Sequence, residues 1–395
     1  MTLMQPKQRI HSIDILRGAI MLIMALDHVR DFFHIHGVDQ DPTDLATTTA
    51  VLFFTRWITH FCAPVFLFLS GISAFLSGQK KTIKEHSVFL IKRGLWLIIV
   101  EVVIMTLAIT FNPLYNVIIL QVIWAIGISL IILGLLVRTS LTVIFITGCI
   151  LFFGHNILDY VALPKEGAGS ILWNILITSP RMLIPLGGNR FIFDLYTILP
   201  WTGAMFIGYA TGTWYRSSAD AGKRRKKLLQ AGLSLVALFI VLRFINQYGD
   251  PAPWSHQKDG VFTFLSFLNT SKYPPSLQYL CMTIGPALII LSFIEQSQTR
   301  LSKILIVYGR VPFFYYILHF YLIHLLCVIF FFASGYGVKD IVDPNIPFLF
   351  RPLHFGFSLP VVYLVWFFVI TVLYKPCKWF NNYKVTHSQW WLQYL

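Results

Sequence analysis

Ten residues separate Arg17 from His28 in the run Ser12-Ile13-Asp14-Ile15-Leu16-Arg17-Gly18-Ala19-Ile20-Met21-Leu22-Ile23-Met24-Ala25-Leu26-Asp27-His28. On an α-helix, eleven steps of about 100° return to nearly the same face, about 16 Å further along the axis. One stripe therefore carries a guanidinium near one end and an imidazole near the other. The first can grip an anion and the second can move a proton. Lipid makes both costly, so the stripe is expected to face a polar cavity inside the protein.

Around the imidazole the chain reads Asp27-His28-Val29-Arg30-Asp31-Phe32-Phe33-His34-Ile35-His36. Asp31 lies three residues from His28 and one turn from Asp27, so a His–carboxylate hydrogen bond is available. Such a bond would set the tautomer of His28 and raise its basicity, as a general base needs. Arg56 and His60 are one turn apart in the second apolar run and fall at the same level. The competing reading of this group is a set of salt bridges locking two helices together. The same choice stands at the other end, where Asp14 is three residues from Arg17. Arg17 is either its structural partner or, with Asp14, part of an anion site for a phosphate-bearing ligand. His319 lies deep in a later apolar run, one turn after Tyr315, and reads either as a substrate contact or as a neutral imidazole bonded to a tyrosine hydroxyl. His324 is about 140° round the helix from it, so the two do not share one site. His34 and His36 read as interfacial histidines. Glu101 is also deep and reads either as the partner of a cation on another helix or as a protonated carboxyl.

The elements that hold these groups are membrane helices. The chain has 395 residues, of which 56% are hydrophobic and 12% charged, with a mean hydropathy of +0.68. A soluble domain carries about twice that charged fraction. Ten apolar spans are expected, near residues 12–35, 51–77, 88–111, 116–137, 139–160, 191–215, 227–247, 274–295, 304–333 and 357–377. Several reach the roughly 20 residues that crossing a bilayer takes. With the N-terminus in the cytoplasm, twenty Lys and Arg fall in cytoplasmic segments, among them Lys80, Lys81, Lys84, Lys92 and Arg93, and Arg216 with Lys223 to Lys227. Seven fall outside: Lys165, Arg181, Arg190, Lys258, Lys272, Lys339 and Arg351. Arg17, Arg30, Arg56 and Arg243 lie within spans. This asymmetry places both termini in the cytoplasm. It also accounts for the net charge of +14 as topology and lipid contact rather than nucleic-acid binding.

The fold class expected is an all-α, polytopic membrane bundle forming one domain over residues 1–395, with external loops at about 161–190, 248–273 and 334–356 able to cap a cavity. The first span holds Asp14 and Arg17 and lacks a small-residue cleavage site, so it reads as a retained helix. Cys62, Cys149, Cys281, Cys327 and Cys377 are scattered, without a CxxC pair, and neither a disulfide framework nor a metal site is expected. There is no Gly-rich phosphate loop, HExxH or GxSxG, and the lack of a Walker motif speaks against an ATP-driven pump.

These residues resemble the transmembrane acyltransferase superfamily. Acyltransferase-3 proteins carry an Arg or Lys, ten residues and then a His in their first helix, which Arg17 and His28 match. The opening from Arg9 through Asp14-Ile15-Leu16-Arg17-Gly18, the stretch His60-Phe61-Cys62-Ala63-Pro64-Val65-Phe66-Leu67-Phe68-Leu69-Ser70-Gly71, and Gly309-Arg310-Val311-Pro312-Phe313 are similar to bacterial heparan-α-glucosaminide N-acetyltransferase-like proteins. The resemblance implies transfer of an acyl group, usually acetyl, from cytoplasmic acyl-CoA to a glycan or lipid-linked acceptor on the far side of, or within, the membrane. Arg17 would then bind the CoA side and His28 stand at the transfer point, with Arg30 or Arg56 steadying the oxyanion. In the heparan enzyme the proposed active His lies in the first external loop, where this chain has His34 and His36. The rival function is a secondary transporter or flippase of a small anionic or glycan substrate. Membrane lipids are expected partners, a homo-oligomer is left open, and a bacterial cytoplasmic membrane is the expected location.

Overall fold

The first apolar run folds as α1 (His11–Phe33), buried on nearly every side. The computed structural model describes residues 10–161, 167–178, 182–216, 218–344 and 346–393. Arg9, Lys165 and Arg181, used in the readings above, lie outside the described residues.

The second run is two helices, α2 (Ala50–Thr59) and α3 (Cys62–Gly78), broken at His60 and Phe61. Pro64 falls in the first turn of α3, where its missing N–H costs no hydrogen bond. Then α4 (Ile83–Val100) opens on a capping box in which Thr82 and Glu85 satisfy each other's backbone amides. Hydrogen bonds from the Thr82 amide and hydroxyl hold the Glu85 carboxyl below its usual pKa. A π-turn over Glu101–Met105 leads into α5 (Thr106–Thr110). Glu101 in this wide turn meets no cation in a described contact: its Oε1 accepts the backbone N–H of Gln121 at 2.7 Å, just ahead of α6 (Val122–Leu136).

The chain continues through α7 (Leu141–Gly154), the short α8 (Gly167–Trp173), α9 (Leu199–Thr211), α10 (Ala221–Ile245), α11 (Gly260–Leu268) and α12 (Leu277–Phe293). Asp220, Asp259 and Ser276 cap the last three. The run expected at 304–333 divides at Val311 into α13 (Arg300–Arg310) and α14 (Pro312–Ala333), because Pro312 has no N–H to continue the ladder. The last helix is α15 (Leu359–Thr386).

The fold is mostly helical, but two runs expected as helices begin as strands. β1 (Val117–Leu120) pairs in parallel with β3 (Arg190–Asp194), Val117 opposite Phe191, and β2 (Met182–Gly187) pairs antiparallel with β3. A short apolar run rich in Val and Ile does not reveal by periodicity which state it takes.

Helix α1 is the centre of the bundle, packed by α2, α3, α12, α13, α14 and α15. Its contact with α13 is set by Gly18 and Gly309. A Cβ on Gly18 would overlap the Leu305 carbonyl oxygen, and one on Gly309 that of Asp14. The pair Gly71 and Gly208 does the same between α3 and α9. Small residues at such crossings bring backbones together where lipid supplies no hydrophobic drive. The outer surface is apolar: Phe145, Ile146 and Ile150 on α7, Val241 and Phe244 on α10, Leu364 and Phe367 on α15 are exposed. Among the described residues, five stretches, Ala50–Gly78, Leu141–Tyr160, Ala221–Ile245, Pro312–Ala333 and Leu359–Thr386, are long and apolar enough to cross a membrane.

Candidate active site

At the first end of the α1 stripe, Arg17 donates to Asp14 Oδ1 at 3.3 Å, to the Gly309 carbonyl at 3.1 Å and to Ser73 Oγ at 2.8 Å. The other oxygen of Asp14 faces Arg310 Nε at 3.6 Å. The close crossing of α1 and α13 makes this possible, since it carries Arg310 to the level of Asp14. The structural pair of the first reading is therefore present, and it is wider than expected because Arg310 joins it. Asp14 is a structural partner to two guanidiniums, and both guanidiniums line a cavity of about 370 Å³. Arg93 of α4 and Lys384 of α15 line it too, as do Ser70, Ser73 and Ser77 on one face of α3. Among its described lining residues are four cations and no carboxylate, so its charged lining is positive. Leu97, Ile123, Ile126 and Phe313 line the same cavity and add apolar wall to it.

At the other end stands His28. Its Nδ1 is 2.7 Å from His319 Nε2, and His319 Nδ1 is 3.1 Å from the Tyr315 carbonyl. Phe320 stacks on the His28 ring at 4.1 Å between centroids. The expected His28–carboxylate bond gives way to this imidazole pair. Asp27 is adjacent in sequence and so points about 100° away from His28, towards α2. There it accepts hydrogen bonds from Arg56 and, at 3.0 Å, from Arg30. Arg30 also donates to Asp31 at 2.7 Å. The Asp27, Asp31, Arg30 and Arg56 group is a salt-bridge cluster beside the imidazoles.

A second, smaller space of about 30 Å³ is lined by Asp27, His28, Thr59, Cys62, Gln121, Tyr196 and Lys272, among others. Phe66 and Val122 line both spaces, so the cation-lined cavity and the His28 space meet at these two side chains. Tyr316 lies on the wall of the larger cavity, edge-on to His28 at 6.5 Å, and its hydroxyl has no hydrogen bond among the described residues.

His60 is buried behind this site rather than in it. Its carbonyl accepts the Tyr279 hydroxyl at 2.7 Å, and its Nδ1 has no partner among the described residues. His34 and His36 line neither space; the carbonyl of His34 accepts from Arg351 at 2.6 Å, and His36 Nδ1 is 3.3 Å from Asp39. His324 bonds the carbonyls of Ala108 and Leu349, which keeps it apart from His319.

Lys272 is the main residue that sequence reasoning missed. It reads as a cation of an external loop, counted for topology alone, yet it is buried beside His28. The loop ahead of α12 folds inward because buried groups clamp it. Asp250 accepts from the Ser271 amide at 2.9 Å, the Ala252 amide at 2.9 Å and the Ser276 hydroxyl at 2.6 Å. Arg243 donates to the carbonyls of Phe267, Ser266, Asn269 and Ala252 and to Gln278. A cation just before Tyr273-Pro274-Pro275, in a loop already expected to cap a cavity, is the signal that was present. Arg310 stood in a quoted motif without a role. Lys384 carried no signal.

Helices apolar on their lipid-accessible outside, around an interior of buried Arg, His and carboxylate groups, define an integral membrane protein. Residues 9–244 match the family model for the catalytic region of heparan-α-glucosaminide N-acetyltransferase. The match covers more than half of the chain, which belongs to this family of membrane acetyltransferases. It includes Arg17, His28 and the His60–Gly71 stretch, whereas Lys272, Arg310 and His319 lie beyond it. Comparison with curated protein sequences gives no match.

Proposed function

We propose that this chain crosses the membrane ten times with both termini in the cytoplasm, and moves an acetyl group from cytoplasmic acetyl-CoA to a glycan or lipid-linked acceptor on the other side. The observation that carries this reading is that the cation-lined cavity meets the His28 space at Phe66 and Val122. Arg17, Arg93, Arg310 and Lys384 hold the phosphates of the donor at the cytoplasmic mouth. The apolar stretch beyond them takes the pantetheine arm and points the thioester at His28. His28 accepts the proton of the acceptor's amine or hydroxyl as that atom attacks the thioester carbonyl. The C–S bond then breaks, and the proton passes from His28 to the departing thiolate. Arg30 and Arg56 are held by Asp27 and Asp31. Lys272, which also bonds Tyr273, and Tyr316 stand beside His28 and steady the oxyanion.

Labelled acetyl-CoA incubated with the purified protein tests the reading through both binding and transfer to glycan or lipid acceptors. Arg17→Ala weakens acetyl-CoA binding by about 1.5–3 kcal/mol, the usual worth of a hydrogen bond to a charged group. Unchanged affinity in a folded variant confines Arg17 to its structural pair with Asp14. A protein that needs no acetyl-CoA and moves an intact solute is a transporter instead.

The topology has its own test. Single cysteines at Lys84 and Lys226, exposed at the starts of α4 and α10, react with an impermeant thiol reagent only from the cytoplasmic side. One at Lys258, exposed ahead of α11, reacts only from outside. Any other pattern overturns the ten-span arrangement.

A further inference from the structure

We infer that His319 is a positioning residue that holds His28 in its Nδ1-protonated tautomer, leaving His28 Nε2 as the basic atom of the site. The use made of that lone pair rests on the acetyltransferase reading; its location rests on the hydrogen bonds alone. A carbonyl oxygen can only accept, so the 3.1 Å contact between His319 Nδ1 and the Tyr315 carbonyl puts a proton on His319 Nδ1. In neutral His319, Nε2 is then a bare acceptor. It faces His28 Nδ1 at 2.7 Å, so His28 Nδ1 must carry the proton of that bond. His28 Nε2 is left with its lone pair and has no hydrogen bond to any described residue, while the His28 side chain lines the space shared with Lys272 and Gln121.

Aromatic stacking packs both ends of this hydrogen-bond chain. Tyr315 and His319 are one turn apart on α14, their rings parallel within 1° at 5.3 Å. Phe320 stacks on the His28 ring. His319 is fully buried and cannot itself meet a substrate. Its contribution passes through His28. When the acceptor atom bonds to the thioester carbon, its proton goes to His28 Nε2, and the Nδ1–H bond to His319 helps to carry the resulting imidazolium. When the C–S bond breaks, the electron pair leaves on sulfur and the Nε2 proton joins it.

Nitrogen-15 labelled histidine in the full-length protein in nanodiscs reports the tautomer at alkaline pH, without any substrate. The wild type shows His28 protonated on Nδ1. His319→Leu removes the acceptor, shifts His28 towards the Nε2-protonated form and lowers turnover by about 10²–10⁴-fold, the range a positioned base contributes, with acetyl-CoA affinity unchanged. His319→Gln, whose Oε1 accepts from the same direction, restores both the tautomer and most of the turnover. If His319→Leu does not fold, the wild-type spectrum and the Gln variant still decide. Transfer by a wild type whose His28 is protonated on Nε2 overturns this inference and leaves acetyl transfer standing. An Nδ1-protonated His28 in a protein that transfers nothing supports the hydrogen-bond chain and overturns the acetyltransferase reading.

Discussion

His28→Ala reduces acetyl transfer by about 10²–10⁴-fold, the contribution of a positioned general base, while acetyl-CoA binding stays close to wild type. The two effects separate because Arg17 of the cation-lined cavity sits about three helical turns from the imidazole. None of Arg17, Arg93, Arg310 and Lys384 bonds to His28 in any described contact. Initial rates of labelled acetyl transfer and a binding isotherm for acetyl-CoA, measured on the same preparation, check this. His34→Ala and His36→Ala are the controls. Both residues lie outside the two spaces, so both variants keep wild-type turnover. If His28→Ala retains turnover and either loop variant loses it, the chemistry belongs to the external segment. Retained activity in all three removes the His-based mechanism.

Asp27→Ala destabilises the fold by about 3–5 kcal/mol, the cost of leaving a buried charge without its partner. Asp27 accepts from Arg56 through one oxygen and from Arg30 through the other, and all three side chains are almost wholly buried. Its removal strands the Arg56 guanidinium between α1 and α2. Asp31→Ala is the comparison. The Asp31 side chain is 37% exposed, so its bond to Arg30 is solvent-screened and its loss costs about 0–1 kcal/mol. Thermal unfolding in detergent should show a large drop in Tm for the first variant and little for the second. Equal drops would mean that the cluster is wet and that Asp27 does not anchor α2 to α1.

The expected imidazole–carboxylate bond failed for a reason that applies to the whole site. Neighbours along one helix are legible from spacing, and Asp14 with Arg17, or Arg30 with Asp27, formed as their three-residue separations allow. Spacing is silent about rivals from other helices. His319 is 291 positions from His28 in the chain, and Arg56 is 29 from Asp27. His319 won the contact that local reading gave to a carboxylate, whereas the Arg56–Asp27 bridge is the interhelical salt-bridge cluster given as the competing reading. The apolar runs at 116–137 and 191–215 show the same limit: pairing between distant segments, not local periodicity, decided that their first residues are strands.

Apolar run length, the alternation of basic loops and the Arg17–His28 stripe are local properties, and the residue order by itself determined them. They established a membrane bundle with a polar seam along its first helix. Tertiary structure alone decided that Gly18 and Gly309 bring Arg310 onto Asp14, and that Arg243 and Asp250 fold a loop inward to bury Lys272. It alone paired His28 with an imidazole. Each of these depends on backbones meeting at a particular depth. That depth follows from helix crossings and buried hydrogen bonds summed over the whole bundle, which no window of sequence contains.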